Sequence, residues 1–187
     1  MKRWLGCMVV FLLLLSGCGC FLSDEVGNGG DVNKYLTGSH DAQCDALMKV
    51  LSEGINRQDV SLVKSIFSEE TKNNCPNLDQ QIRDMFTYLQ GKVLRYEGFS
   101  DYANGHTALS YDESGNIKNG QQYWQISGDY QLEMGNGSYD MTFAFYSNCV
   151  AVPEKNGIYF VEVMPEELAD SIGYQHSIQK EQGVFLG

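Results

Sequence analysis

The stretch from Gln122 to Met134 constrains this chain more than any other. Trp124, Ile126, Gly128, Tyr130, Leu132 and Met134 fall on one face of an extended segment, with Tyr123, Gln125, Ser127, Asp129, Gln131 and Glu133 on the other. Alternation held this long dictates a β-strand with one buried and one wet face. Drawn straight, it would run roughly 43 Å at about 3.3 Å per residue, longer than most globular strands. Ser127-Gly128 at its middle is the expected place for a bulge or bend, so the sheet built on it should be strongly curved.

Upstream of this ribbon the apolar period is helical. Ser39 or Asp41 caps a first helix in which Cys44, Leu47, Met48, Leu51 and Ile55 share a face, and Asn56-Arg57-Gln58 ends it. Asp59 caps a short second helix carrying Leu62, Val63, Ile66 and Phe67. Glu69 to Asn74 reads as a polar loop. Pro76-Asn77 opens a third helix, with Asn77 and Gln80 at capping-box spacing, an apolar stripe of Ile82, Met85, Phe86 and Leu89, and Gly91 as its stop.

From Gly91 onward the period is two. Lys92 to Phe99 is a strand, followed by a loop from Ser100 to Gly120. Its Asp112-Glu113-Ser114-Gly115-Asn116 lacks the ligand spacing and closing glutamate of a calcium loop and reads as a turn. Gly135-Asn136-Gly137 folds the ribbon back into Ser138 to Val152, where Tyr139, Met141, Phe143 and Phe145 share a face, and Ile158 to Met164 completes an antiparallel meander. A helical turn or two at Glu166 to Ile172, then an edge strand or packed tail at Gly183 to Gly187, close the chain. The fold class is α+β, with three N-terminal helices packed in the hollow of a curved antiparallel sheet. A single domain over 40–187 is large enough to bury about 70% of its unfolded surface.

The first residues carry an address. Lys2 and Arg3 precede an apolar run, Trp4 to Leu15, that is too short to cross a bilayer as a helix. It ends in Leu15-Ser16-Gly17-Cys18, which resembles the bacterial lipobox. That resemblance implies a signal peptide over 1–17, cleavage before Cys18, and a diacylglyceryl group on Cys18 that holds the protein at the outer face of the cell membrane. An ordinary secretory signal with an accidental cysteine is the alternative. Residues 18–39, rich in Gly, Asn, Asp and Ser, read as a flexible tether with a reach of about 25 Å.

Loss of Met1 to Gly17 removes Lys2 and Arg3 and no acidic residue, taking the net charge from −11 to −13. Such a surface repels phosphate backbones, which argues against nucleic acid as a partner. Of six cysteines, Cys7 lies in the signal and Cys18 is the acylation site. Cys20, Cys44, Cys75 and Cys149 show no zinc-site spacing. Cys44 and Cys75 are a candidate disulfide; the alternative is that Cys44 and Cys149 are small core residues.

Three amphipathic helices ahead of a bent antiparallel sheet resemble the nuclear-transport-factor-2-like superfamily, an α+β cone. Ala46-Leu47 through Asn56-Arg57-Gln58-Asp59 to Ser65-Ile66-Phe67 is similar to its usual opening. Gly91, Gly120, Tyr139 and Gly157-Ile158-Tyr159, in that order, further resemble an uncharacterised family of Gram-positive lipoproteins. That family has no assigned activity, so the resemblance implies a fold and an address.

Enzymes of the superfamily place an Asp, His or Tyr inside the cone. The catalytic candidates here are Asp129, Tyr130 and Tyr159, set against a solvated face for Asp129 and core aromatics with satisfied hydroxyls for the tyrosines. His40, His106 and His176 share no spacing that suggests a metal or a catalytic pair, and no cofactor is expected. Trp124, Tyr130, Phe143, Phe145 and Tyr159 are the expected lining of a pocket in the cone, unless they simply fill it. The leading expectation is a non-catalytic, membrane-tethered module that takes a small apolar ligand or a protein partner; the alternative is an isomerase- or dehydratase-like acid–base enzyme. A twin subunit docking on the face of Tyr123, Gln125, Ser127 and Gln131 is a third expectation.

Overall fold

A computed structural model describes residues 31–98, 106–108, 123–149, 152–172 and 181–187. The signal peptide, Cys18, most of the 100–120 loop and residues 173–180 of the tail lie outside the described residues. What is described is an α+β protein with a mostly antiparallel, open sheet.

The helices form where apolar spacing and caps coincide. Helix α1 (His40–Arg57) starts at Ser39, whose hydroxyl accepts from the Ala42 amide at 3.3 Å, and stops at Gln58 in the left-handed conformation. Its stripe of Leu47, Met48, Leu51 and Ile55 is almost wholly buried, worth roughly 1.5–3 kcal/mol per side chain. Helix α2 (Val60–Ser65) is capped by Asp59, as expected.

Glu69 to Asn74 is not a loop but helix α3 (Glu69–Asn74). Ser68 accepts from the Thr71 amide at 3.0 Å, and Glu69 and Glu70 sit in the first turn, where the helix dipole favours negative charge. Helix α4 (Leu78–Leu89) buries Ile82, Met85, Phe86 and Leu89. Asn77 makes no side-chain cap, so the capping box is not formed, and Gln90, not Gly91, takes the left-handed position that ends the helix.

The sheet comprises β1 (Val93–Gly98), β2 (His106–Ala108), β3 (Tyr123–Met134), β4 (Gly137–Ser147), β5 (Gly157–Pro165) and β6 (Gly183–Leu186). Its order is β1-β3-β4-β5-β6, with β2 pairing the other end of β3. The β3–β4 register runs unbroken from Trp124↔Ser147 to Met134↔Gly137, so the expected bulge at Ser127-Gly128 is absent. Gly128 is there instead because the Phe143 ring fills the space above it. The register shifts at two other places, between Val93 and Arg95 in β1 and at Tyr159 in β5. Strand β6 runs parallel to β5 and packs on α4, where the Val184 amide donates to Gln81 Oε1 at 3.1 Å. Helix α5 (Glu166–Ile172) follows β5 directly.

Between helices and sheet lies one core, to which α1, α2, α4 and the inner residues of β3, β4 and β5 all contribute. A second, smaller cluster of Ala144, Tyr159 and Phe160 forms on the opposite side of the sheet, joined by Tyr146 and Phe185. Val32, Tyr35 and Leu36, within the stretch read as tether, pack against the main core. No described helix is long and apolar enough to cross a membrane.

Candidate functional site

The aromatic residues expected to line one pocket go to three different places. Phe143 and Phe145 are fully buried and Tyr130 nearly so, with Tyr130 and Phe143 stacked at 5.8 Å and Phe145 tilted by 34° against Phe143 at 6.2 Å. These rings fill the hollow. Tyr159 is on the far side of the sheet: Phe160 pairs with Ala144 and Ile158 with Phe145, leaving Tyr159 as the extra residue of a bulge that puts it in the outer cluster. Trp124 borders a cleft at the end of β3.

The catalytic candidates are likewise separated. Tyr130, on the inner face, donates to Asp45 Oδ1 on α1 at 2.8 Å, and burial together with that bond pushes its phenol far above the ordinary range. Asp129, on the outer face, is buried and accepts from Thr142 Oγ1 at 2.7 Å, not solvated as its pattern suggested. Tyr159 accepts from Gln125 Nε2 at 2.6 Å, and burial lifts its phenol to about 12 despite that donor. Tyr130 therefore has the sheet between it and the other two, and the three do not meet on one substrate. On the outer face Gln131 bonds to Glu166, so two of the four residues expected to face a twin subunit are engaged within the chain.

Cys44 and Cys75 are not joined. Cys44 Sγ donates to the Ser127 carbonyl at 3.7 Å and Cys75 Sγ to the Gln182 carbonyl at 3.0 Å, and both are free and buried, as is Cys149. Burial, reinforced by Asp41, Asp45 and Asp129, raises the Cys44 thiol to about 12; burial raises Cys149 to about 11. Among the described residues no group of three or more His, Cys, Asp or Glu is placed to hold a metal ion.

Among the described residues a cleft of about 470 Å³ forms at the start of α1. One wall is the 3-10 turn Val32–Lys34 and the chain to Gly38; the opposite wall is the connection from β4 to β5. A row of amides bolts the walls together. The Cys149 amide donates to Asn156 Oδ1 at 2.8 Å, Asn156 Nδ2 to Asn33 Oδ1 at 3.0 Å, and Asn33 Nδ2 to Asp31 Oδ1 at 2.6 Å. His40, the first residue of α1, lies 5.0 Å from the Trp124 ring, tilted by 58°.

Gln43 lines the same cleft one turn along α1 and is 5% exposed. Its Nε2 donates to the Gly38 carbonyl at 3.1 Å, which fixes the orientation of the amide, and its Oε1 has no partner. Among the described lining residues there is no Asp, Glu, Lys or Arg. Sequence reasoning found Trp124 and missed the rest, because Asn33, His40, Gln43, Asn148 and Asn156 are far apart in the chain and follow no motif. Asn148, held in the left-handed conformation at φ 60°, leaves no mark that a sequence reading can use.

Fold and site together define an α+β protein with a helical layer on one sheet face and a polar cleft at the sheet's end. A family model described as "Domain of unknown function (DUF5104)" matches residues 50–166, and the chain belongs to that family. The match takes in Trp124 and the β4–β5 wall of the cleft, and not the wall built from residues 33–43. Comparison with curated proteins finds no match.

Proposed function

We propose that this protein is a membrane-tethered, extracytoplasmic binding module and that the cleft at the start of α1 is where it binds. The observation that carries the reading is the unpartnered Gln43 carbonyl among the residues lining a cavity of about 470 Å³. A buried acceptor left unmet costs about 1–3 kcal/mol, a cost that a donor on a ligand or an ordered water removes. The volume falls in the ordinary range for small-molecule sites. The address is supported by Lys2, Arg3, the short apolar run and Leu15-Ser16-Gly17-Cys18. The same reading takes the fold as a nuclear-transport-factor-2-like cone whose hollow is filled by Tyr130, Phe143 and Phe145, which moves ligand binding from the hollow to the rim.

Two measurements test it. In a bacterial host, metabolic labelling with an alkyne fatty acid should mark the wild-type protein in the membrane fraction, and Cys18→Ala should lose both label and membrane association. A Cys18→Ala protein that remains labelled and membrane-bound overturns the anchor. Native mass spectrometry of the full chain purified from its host should show a small-molecule adduct that Trp124→Ala loses. A spectrum without adduct, together with no change in Tm across a panel of small polar compounds, overturns the binding role.

A further inference from the structure

The lining of the cleft narrows the class of ligand, an inference that rests on the binding reading above. We infer that the cleft takes a neutral, polyhydroxylated ligand, a saccharide, with Trp124 as its stacking surface and side-chain amides as its hydrogen-bonding partners.

The chain has 24 acidic and 13 basic residues, yet none of the described lining residues is Asp, Glu, Lys or Arg. A charged ligand entering such a site loses hydration and meets no counter-charge among the lining residues. An apolar ligand fails for the opposite reason. Only Leu36, Pro153 and Trp124 offer it much apolar surface, while it would seal off Asn33, Gln43, Asn148 and Asn156 from water.

What suits these residues is a ligand whose groups donate and accept at once. Hydroxyls do both, and a side-chain amide presents a carbonyl acceptor and an NH₂ donor. Gln43 Oε1 is a buried acceptor left without a donor at the edge of the cleft, since the amide is oriented by the Nε2 bond to Gly38. Asn156 and Asn33 are held in fixed orientations by the bonds that run from Cys149 to Asp31, so their remaining N–H groups need no ordering on binding. Trp124, half-buried and flanked by His40, supplies a flat aromatic surface for the C–H face of a sugar ring. A peptide is the less fitting occupant, since peptides draw on the backbone of a free strand edge, whereas in this cleft the polar groups are mostly side-chain amides.

The test is isothermal titration of the full chain, purified in a zwitterionic detergent that has no sugar headgroup. Probes are the trimer of N-acetylglucosamine and maltotriose as neutral saccharides, trigalacturonate as an anionic one, triglycine amide as a peptide and myristate as an apolar ligand. The variants are Trp124→Ala, Asn148→Gly, which removes the amide and keeps the left-handed backbone, and Arg95→Ala on β1 away from the cleft.

At least one neutral saccharide should bind, with affinity falling about tenfold or more in Trp124→Ala, by a smaller factor in Asn148→Gly, and unchanged in Arg95→Ala. Trigalacturonate, peptide or myristate binding in a Trp124-dependent way, with no neutral saccharide bound, overturns the ligand class and leaves the binding role standing. Saccharide binding that ignores both Trp124→Ala and Asn148→Gly overturns the assignment to this cleft. If no probe binds and the purified chain carries no adduct, both the class and the binding role fall.

Discussion

The ring of Phe143 in β4 occupies the space that a side chain at Gly128 in β3 would need. A Cβ built on Gly128 would lie 2.8 Å from Phe143 Cζ and 3.1 Å from a ring carbon of Tyr130. Both rings are held in the core, so neither can swing aside cheaply. Gly128→Ala should therefore destabilise the protein by about 1–3 kcal/mol through overpacking. Thermal melts should show a Tm lower by about 2–4 °C for each kcal/mol lost. Adding Phe143→Leu should return part of that loss, giving a double variant more stable than the sum of the two single changes.

Gly157 is a second position closed to side chains, for a backbone reason. Its φ is +119°, and a Cβ would stand 2.9 Å from the Ser68 nitrogen and 3.0 Å from the Ile66 carbonyl oxygen. Those atoms stitch β5 to the chain between α2 and α3: the Ile158 amide donates to Ile66 at 3.0 Å and the Ser68 amide to Ile158 at 2.9 Å. Gly157→Ala should cost about 3 kcal/mol or more, combining conformational strain with a clash that nothing flexible relieves. Soluble yield and Tm should both drop further than in Gly128→Ala.

The Tyr130–Asp45 bond is expected to be structural and modest. Asp45 is exposed and regains water when its donor is removed, so Tyr130→Phe should cost about 1 kcal/mol. Asp45→Asn weakens the same bond, and in urea denaturation the double variant should be little worse than either single one. A loss from Tyr130→Phe that persists undiminished in the Asp45→Asn background would mean that the hydroxyl acts through something other than this bond.

Alkaline pH should weaken the fold in a defined window. Burial raises Cys149 to about 11 and Cys44 and Tyr159 to about 12, so in each case the unfolded chain gives up its proton first. Their contribution is complete below the ordinary thiol and phenol pKa values and disappears as pH rises through the raised ones. Stability by urea titration should fall between about pH 9 and 12. At pH 8 these thiols should resist iodoacetamide in the native state and react once denaturant is added, as followed by mass spectrometry.

Where local chemistry and tertiary environment agree, the sequence was legible. The stripe of α1, the Asp59 cap and the alternation of β3 each announce their own element, because the residues that bury are also the residues that set the period. Helix α3 escaped because it has no apolar stripe: Thr71 alone is buried, and the helix rests on the Ser68 cap and two acidic residues. The bulge at Tyr159 was hidden since Ile158, Tyr159, Phe160 and Val161 are all apolar or aromatic, so alternation could not say which side each faces. The cleft was hidden for a deeper reason. Gln43 matters through a bond it lacks, and that becomes visible only when Gly38, Trp124 and Asn156 are brought to the same place.

The row of amides from Cys149 through Asn156 and Asn33 ends at Asp31, which is where the chain emerges from residues 1–30. Within that row only the Asn156–Asn33 bond, at 3.0 Å, crosses from one wall to the other, and Val32 beside it packs on the main core. Residues 31–38 are thus pinned to the body by one polar bridge and a few apolar side chains, and how they are seated decides how wide the cleft stands.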